Sequence, residues 1–126
     1  LDCINSSNEE YKILDVSRFK ATEHELNSFI LQLQDHGLGE CIIQSVQKDG
    51  LMTGYDRKLL ETALAGTKIP IIALGGCSSF AEISELNQLY NISAFASSST
   101  FSFYNNQREV LLNYPRPNEL CSLMIQ

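Results

Sequence analysis

The chain has 126 residues, 44% of them hydrophobic, which is enough for one small domain with a buried core. Its formal net charge of -6 provides no basic surface that could neutralise a phosphodiester backbone, so we expect no nucleic-acid partner. Its apolar runs are far shorter than the roughly 20 residues that cross a bilayer. We therefore expect no membrane contact and a cytoplasmic protein.

The cysteines are scattered and form no Cys-x-x-Cys pair; they are Cys3, Cys41, Cys77 and Cys121. Three of them lie among apolar residues, so we expect buried, reduced thiols. No spacing of possible ligands fits a zinc or iron site, and we predict neither a metal nor another cofactor. A start at Leu1, without a methionine, suggests a piece of a longer protein.

The opening of the chain predicts two extended segments, 1–4 and 11–16. Thr22 and Glu25 have the spacing of a capping box, and apolar residues at helical spacing follow them. We therefore predict a helix over 23–36. This interpretation places one histidine in the first turn of the helix and the other near its end, too far apart for a shared metal and expected at the surface or as caps.

Helical segments then alternate with short apolar runs. The runs predict buried strands over 41–43, 69–74 and 92–96. Asp56 is the predicted N-cap of one intervening helix, and Ser79 with Glu82 forms a capping box for the next. This order is typical of βα units that build a parallel sheet, and we count four units.

The last part of the chain has weaker signals. A helical pattern is predicted around 110–112, and Pro115 and Pro117 then interrupt the chain. We predict a single domain over 1–126, with the βα units in 1–115 and a C-terminal tail over 116–126.

Polar residues and glycines follow the predicted strands, at the end that forms the working face of βα architectures. Backbone N–H groups at Gly75, Gly76 and after Ser98 could bind a phosphate, although a glycine pair after a strand is also a common tight turn. Asp2 and Asp49 could accept protons or position a substrate, and could equally be caps or surface charges. The residues alone leave these alternatives open.

Several ordered segments resemble the ammonia-using cyclase subunit of imidazole glycerol phosphate synthase. The family pattern is close to GAGE, SIDRDG and GYD, and this chain has GLGE at 37–40, QSVQKDG at 44–50 and GYD at 54–56. Two later blocks, 69–76 and 98–103, match in the same order and spacing.

This resemblance implies an α/β fold that is half of a TIM (β/α)₈ barrel, the fifth to eighth βα units, over residues 1 to about 115. In that family, ammonia from a glutaminase partner travels through the barrel. It attacks a bis-phosphorylated ribulosyl imidazole-carboxamide precursor without a metal, as a step of histidine biosynthesis. The resemblance implies that this half is part of a lyase subunit. It also implies that this half is inactive alone, because the first half of the active site is absent.

The resemblance also assigns roles to individual residues. Asp2 aligns with the catalytic aspartate that ends the fifth strand, whose partner aspartate belongs to the first strand. The residues implied to line the substrate cleft are Gln44, Asp49 and Gly50. Those implied to hold one of the two substrate phosphates are Gly75, Gly76, Ser98 and Ser99.

Three residues depart from the family pattern. Gln47 and Lys48 replace an Asp and an Arg, and Ile4 replaces a common lysine. The ending at 110–115 resembles a paralogous branch that, with a glutaminase-like partner, supplies ammonia for amidino-sugar synthesis on surface polysaccharides. Both branches remain open.

Other classes of function are a non-catalytic half-barrel that binds a phosphorylated ligand or a protein partner, and a purely structural fragment. An isolated half-barrel leaves its first and last parallel strands as open edges. We therefore expect a homodimer, or pairing with the missing N-terminal half.

Overall fold

The computed structural model describes residues 1–6, 10–104, 109–110 and 114–124. The strands are β1 (Asp2–Asn5), β2 (Tyr11–Asp15), β3 (Lys20–Glu25), β4 (Cys41–Ser45), β5 (Ile71–Leu74), β6 (Ala94–Ala96), β7 (Phe103–Tyr104) and β8 (Glu109–Val110). The helices are α1 (Leu26–Asp35), α2 (Arg57–Leu64), α3 (Phe80–Leu89), α4 (Ser99–Ser102) and α5 (Pro117–Met124). This is an α/β fold.

The main sheet is mixed and open, with strand order β3-β2-β1-β4-β5-β6. The neighbouring pairs β1–β4, β4–β5 and β5–β6 are parallel. Strand β2 is antiparallel to both β1 and β3. A purely parallel sheet is therefore the wrong description of the first 25 residues. Strands β7 and β8 form a separate, two-stranded antiparallel sheet.

The first helix begins at Leu26, so the prediction of a helix from residue 23 is wrong at its start. Residues 20–25 extend the antiparallel meander instead. Thr22 does not cap the helix, because its hydroxyl donates to Ile13 O at 3.0 Å and accepts from His24 N at 3.2 Å. His24 accordingly lies in β3. The Thr22 hydroxyl therefore satisfies the His24 amide within a strand that pairs with β2, and not at a helix start.

The next two helices begin where the sequence predicts. The Asp56 carboxylate accepts from Leu59 N at 3.1 Å, and the Ser79 hydroxyl accepts from Glu82 N at 3.2 Å. Both are N-cap bonds that satisfy helix-end donors lacking a partner within the helix. The caps place α2 and α3 directly after the loops that leave β4 and β5.

One face of the sheet packs against the helices. Its buried side chains are Cys3, Cys41, Ile43, Ile71 and Ala73, which pack with Leu26, Ile30, Leu59, Leu60, Ala63 and Leu86 of α1, α2 and α3. Burial raises the pKa of the Cys3 thiol from 9.0 to about 12, and also raises that of Cys41. Buried free thiols are confirmed for three cysteines, whereas Cys121 is exposed.

The end of the chain differs from its sequence pattern. Val110 lies in β8, so the helical prediction is wrong there, and residues 111–112 lie outside the described ranges. The predicted tail contains α5, which packs against α3. None of the helices in the described part of the chain has the length and apolar content that a bilayer crossing needs.

Candidate functional site

The carboxyl ends of β4, β5 and β6 lie at one level, and Asp2, the first residue of β1, is in register with them. The registers pair Asp2 with Gln44, Gln44 with Leu74, and Leu74 with Ala96. The loops that follow these residues therefore meet at the same edge of the sheet. All eight residues that the sequence analysis singled out lie at this edge or in these loops.

A small cavity opens at this edge and encloses about 200 Å³, including the part open to solvent. Its lining residues come from the loops after β4, β5 and β6: Asp49, Gly50, Met52, Leu74, Gly75, Gly76, Cys77, Ser97, Ser98 and Ser99. Six of the eight singled-out residues are among them. We call this space the carboxyl-end cavity.

Asp2 and Gln44 do not line the cavity but lie beside it. The Gln44 side-chain amide donates to Asp49 Oδ2 at 3.1 Å, and Asp2 is the strand neighbour of Gln44. Gln44 thus bonds to Asp49 and is the register neighbour of Asp2. Gln44 orients Asp49 and occupies the position next to Asp2 on β4.

The glycine pair, Gly75 and Gly76, has no room for side chains. Both residues have positive φ, 91° and 96°. A Cβ on Gly75 would lie 2.8 Å from Ser45 O, and one on Gly76 would lie 2.5 Å from Gly54 O. Gly54 N also donates to Gly76 O at 2.8 Å. The loop after β4 therefore packs backbone to backbone on the glycine pair, which only glycine permits.

The loop after β4, residues 46–55 and here called the β4 loop, is tied down at its start. Lys48 N and Asp49 N both donate to Ser45 O, at 3.2 and 3.0 Å. Gln47, one of the departures from the family pattern, accepts from Asn5 N at 3.0 Å. This bond fixes the loop to the end of β1.

Glu82 ties the other end of the β4 loop, a role that the sequence analysis missed. Its carboxylate accepts from Tyr55 N at 2.8 Å, Ser78 N at 2.9 Å and the Ser78 hydroxyl at 2.8 Å. The capping-box spacing predicts that this side chain turns back to its own helix start. Only the folded chain shows that it also reaches the neighbouring loop.

Tyr55 and Thr100 connect the loops to the last parallel strand and were also missed. The Tyr55 hydroxyl donates to Ala96 O at 3.0 Å, and burial of this side chain raises its pKa. Thr100 is buried, and its hydroxyl donates to Cys77 O at 3.1 Å and pairs with the Ser97 hydroxyl at 2.9 Å. Both residues lie in segments that match the family pattern, 54–56 and 98–103, but the sequence gives no signal for these hydrogen bonds.

The chemistry of the cavity lining suits a small anion. The glycine pair and the serine turn, residues 97–99, line one open space, and backbone amides and hydroxyls are groups that can bind anions. Asp49 is itself a lining residue, whereas Asp2 lies beside the cavity. Within the described ranges, no group of three or more His, Cys, Asp or Glu side chains is placed to hold a metal ion.

Comparison with known proteins identifies relatives of the chain. A sequence profile of the family described as histidine biosynthesis protein matches residues 1–107. A Pseudomonas aeruginosa protein with the provisional name imidazole glycerol phosphate synthase subunit hisF2 is 36% identical over 88 residues, 70% of this chain and 35% of the relative. A Leptospira borgpetersenii protein, provisionally named as subunit HisF, is 32% identical over 105 residues, 83% of this chain and 41% of the relative.

A third relative is imidazole glycerol phosphate synthase subunit HisF of Photobacterium profundum, 32% identical over 87 residues, 69% of this chain and 34% of the relative. The chain thus spans about a third to two fifths of the length of the relatives it matches. The family profile nevertheless covers most of the chain, and the matched segment contains the whole carboxyl-end cavity. The chain belongs to the histidine biosynthesis protein family, as a HisF-like imidazole glycerol phosphate synthase sequence.

Proposed function

We propose that the chain is the C-terminal half of an ammonia-dependent (β/α)₈-barrel synthase subunit that holds one substrate phosphate in the carboxyl-end cavity. The observation that carries the proposal is the common location of the glycine pair and the serine turn. Chain segments about 20 residues apart contribute to one space, together with Asp49 and Gly50. The family resemblance assigns the phosphate to these residues.

The order of the elements supports the half-barrel. Each of β1, β4 and β5 is followed by a helix that returns to the next parallel strand, and β1 reaches its helix through the β2–β3 meander. The sheet is open, with β3 and β6 as its outer strands in the described part of the chain. The outer edge of β1, expected to be open, is covered by β2, whereas β6 is an outer strand. A second half-barrel, either the N-terminal half or a second copy, would therefore close the barrel by pairing with β6 and by displacing β2 from β1.

The proposed roles follow the positions of the side chains. Asp2 is one member of an acid-base pair whose other member lies in the N-terminal half. Gln44, Asp49 and Gly50 contact the substrate, with Asp49 held in place by the Gln44 amide. Backbone N–H groups of the glycine pair and the groups of Ser98 and Ser99 bind phosphate by main-chain and hydroxyl donors.

A glutaminase subunit supplies the ammonia in this proposal, because a synthase subunit of this family works with a partner. The product belongs either to histidine biosynthesis or to the paralogous amidino-sugar pathway. Gln47 bears on this choice, since it departs from the family residue and bonds to Asn5 N at the substrate edge. We propose the paralogous branch, to be tested by comparing the two substrate classes in the completed barrel.

Phosphate binding is tested by calorimetric titration of the chain with inorganic phosphate. Ser98→Asp places a negative charge at the cavity, and Ser93→Asp places the same charge before β6, away from this cavity. We expect Ser98→Asp to weaken binding about tenfold, on the order of 1.4 kcal/mol, and Ser93→Asp to leave it unchanged. Equal affinity in both variants would place the phosphate elsewhere.

Catalysis is tested in the barrel completed with the N-terminal half of a relative. Asp2→Asn should abolish ammonia-dependent turnover while phosphate binding persists, because the amide cannot exchange a proton as the carboxylate does. Full activity in this variant would refute the role of Asp2. Phosphate binding without turnover in the unchanged completed barrel would instead indicate a non-catalytic binding module.

A further inference from the structure

Glu82 connects two of the loops that line the carboxyl-end cavity. One carboxylate oxygen accepts from Tyr55 N in the β4 loop, and the other accepts from the backbone and hydroxyl of Ser78 in the loop after β5. All three donor–acceptor distances lie between 2.8 and 2.9 Å. Hydrogen bonds to an ionised carboxylate are stronger than neutral ones. This carboxylate is therefore a strong link between the loops.

The end of the β4 loop is shaped around this carboxylate. Gly54 has φ of 98°, and a Cβ there would lie 2.8 Å from Glu82 Oε1. The next residue, Tyr55, is 4% exposed, and its hydroxyl reaches Ala96 O. Glu82 thus fixes the backbone of Tyr55 while the ring fixes the same residue to the last parallel strand.

The middle of the β4 loop depends on its two ends. Met52 lines the cavity and has φ of 54°, in the left-handed region that costs a non-glycine residue energy. At the start of the loop, Asp49 is held by Ser45 O and Gln44. A loop that contains a strained residue stays closed only if both ends are held, and Glu82 holds the far end.

We propose that Glu82 is a positioning residue for the carboxyl-end cavity. It holds the β4 loop against the glycine pair, so that Asp49 and Gly50 stay at the cavity while Gly54 N keeps its hydrogen bond to Gly76 O. Glu82 does not line the cavity and acts through Tyr55 and Gly54. The effect on ligand binding rests on the proposed function, whereas the effect on the loop does not.

The test compares three variants of the full 126-residue chain. Glu82→Ala removes all three bonds, and Glu82→Gln keeps one oxygen that can accept from Tyr55 N. Ser79→Ala is the matched control, because it removes the N-cap of the same helix and leaves the Glu82 carboxylate in place. Thermal unfolding of each variant gives the loss of stability.

Two readouts are measured. The first is hydrogen exchange at the Gly54 amide, which donates to Gly76 O and not to Glu82. We expect exchange about tenfold faster in Glu82→Ala than in Ser79→Ala, as the loss of charge-assisted bonds predicts. The second is affinity for inorganic phosphate, expected to fall about tenfold in Glu82→Ala and to stay within about threefold of the unchanged chain in Glu82→Gln and Ser79→Ala.

The outcomes separate the two proposals. Equal Gly54 exchange in Glu82→Ala and Ser79→Ala would overturn the positioning role, since a purely structural loss would affect both alike. If the unchanged chain does not bind phosphate, the proposed function fails, and the Gly54 exchange still decides whether Glu82 holds the loop. If Glu82→Ala does not fold, Glu82→Asp takes its place, because its carboxylate is one methylene shorter and cannot reach Tyr55 N and Ser78 together. Faster Gly54 exchange in Glu82→Asp than in Ser79→Ala then supports the role, and equal exchange refutes it.

Discussion

The two faces of the main sheet differ in burial although their residues alternate along the same strands. On the helix-facing side of β4, Ile43 is fully buried, whereas its neighbour Ile42, on the opposite face, is 46% exposed. Ile72, in register with Ile42 on the next strand, is only partly buried. The helices therefore stabilise one face, and the other face is less covered by the described residues.

The less buried face also ends in the candidate site. Asp2, Gln44 and Leu74 lie in one register layer on it, at the edge where the cavity opens. Cys3 and Ile43, which pack against the helices, thus lie on the opposite side of the same strands from Asp2 and Gln44, for which we propose a role at the substrate. Substitutions on the two sides should have different effects, and the predictions below test that difference.

The largest expected contrast is between two adjacent isoleucines. Ile43→Ala should lower the free energy of unfolding by about 2–5 kcal/mol, because it leaves a cavity under α1 and α2. Ile42→Ala should lower it by about 1 kcal/mol or less, because its side chain is half exposed. Urea unfolding of both variants measures the difference. Equal losses of unfolding free energy would show that the face carrying Ile42 is covered in solution, which would contradict the difference between the two faces.

The second contrast concerns glycines with positive φ. Gly76→Ala should cost about 1–2 kcal/mol for the left-handed backbone and about 1–3 kcal/mol more for the clash with Gly54 O. Gly37→Ala has the same kind of backbone, φ of 88°, but an added Cβ would meet nothing within 4 Å. It should show only the backbone cost. Thermal unfolding compares them, and a Gly76→Ala no worse than Gly37→Ala would contradict the close packing of the β4 loop.

A smaller effect is expected at the polar link between the meander and α2. The Tyr11 hydroxyl donates to Asp56 Oδ1 at 2.8 Å, and the same oxygen caps α2. Tyr11→Phe should cost about 1 kcal/mol, and Asp56→Ala about 2 kcal/mol because it also removes the cap. A double-mutant cycle by urea unfolding should give a coupling close to the Tyr11→Phe loss. Additive losses would mean that the bond does not form in solution.

The smallest perturbation is a chemical one. With a disulfide-exchange reagent at pH 8, the exposed Cys121 should react first, whereas Cys3 and Cys41 stay protonated because burial raises their pKa. Since Cys3 keeps its proton to about pH 12 when folded and loses it near 9.0 when unfolded, stability should fall as the pH rises above 9. Rapid reaction of several thiols in the folded chain would contradict the burial of these cysteines on the helix-facing side of the sheet.

Local signals in the sequence located the parallel strands and the caps of α2 and α3, because apolar runs and capping residues act over a few neighbouring residues. They failed at residues 20–25, where pairing with a distant strand outweighed the capping-box pattern of Thr22 and Glu25. The family resemblance located six residues of the cavity. It did not predict the hydrogen bonds of Glu82 with Tyr55 N or of the Tyr55 hydroxyl with Ala96 O, whose partners lie 27 and 41 residues apart along the chain.

The most direct test of the central claim is a map of backbone amide chemical shifts during titration with inorganic phosphate, with chloride at equal ionic strength as the control. A phosphate site at the carboxyl-end cavity predicts saturable shifts concentrated at the glycine pair, Ser98 and Ser99, and none at Ser93. The absence of saturable shifts at these amides, or shifts of equal size along the whole chain, would contradict the account.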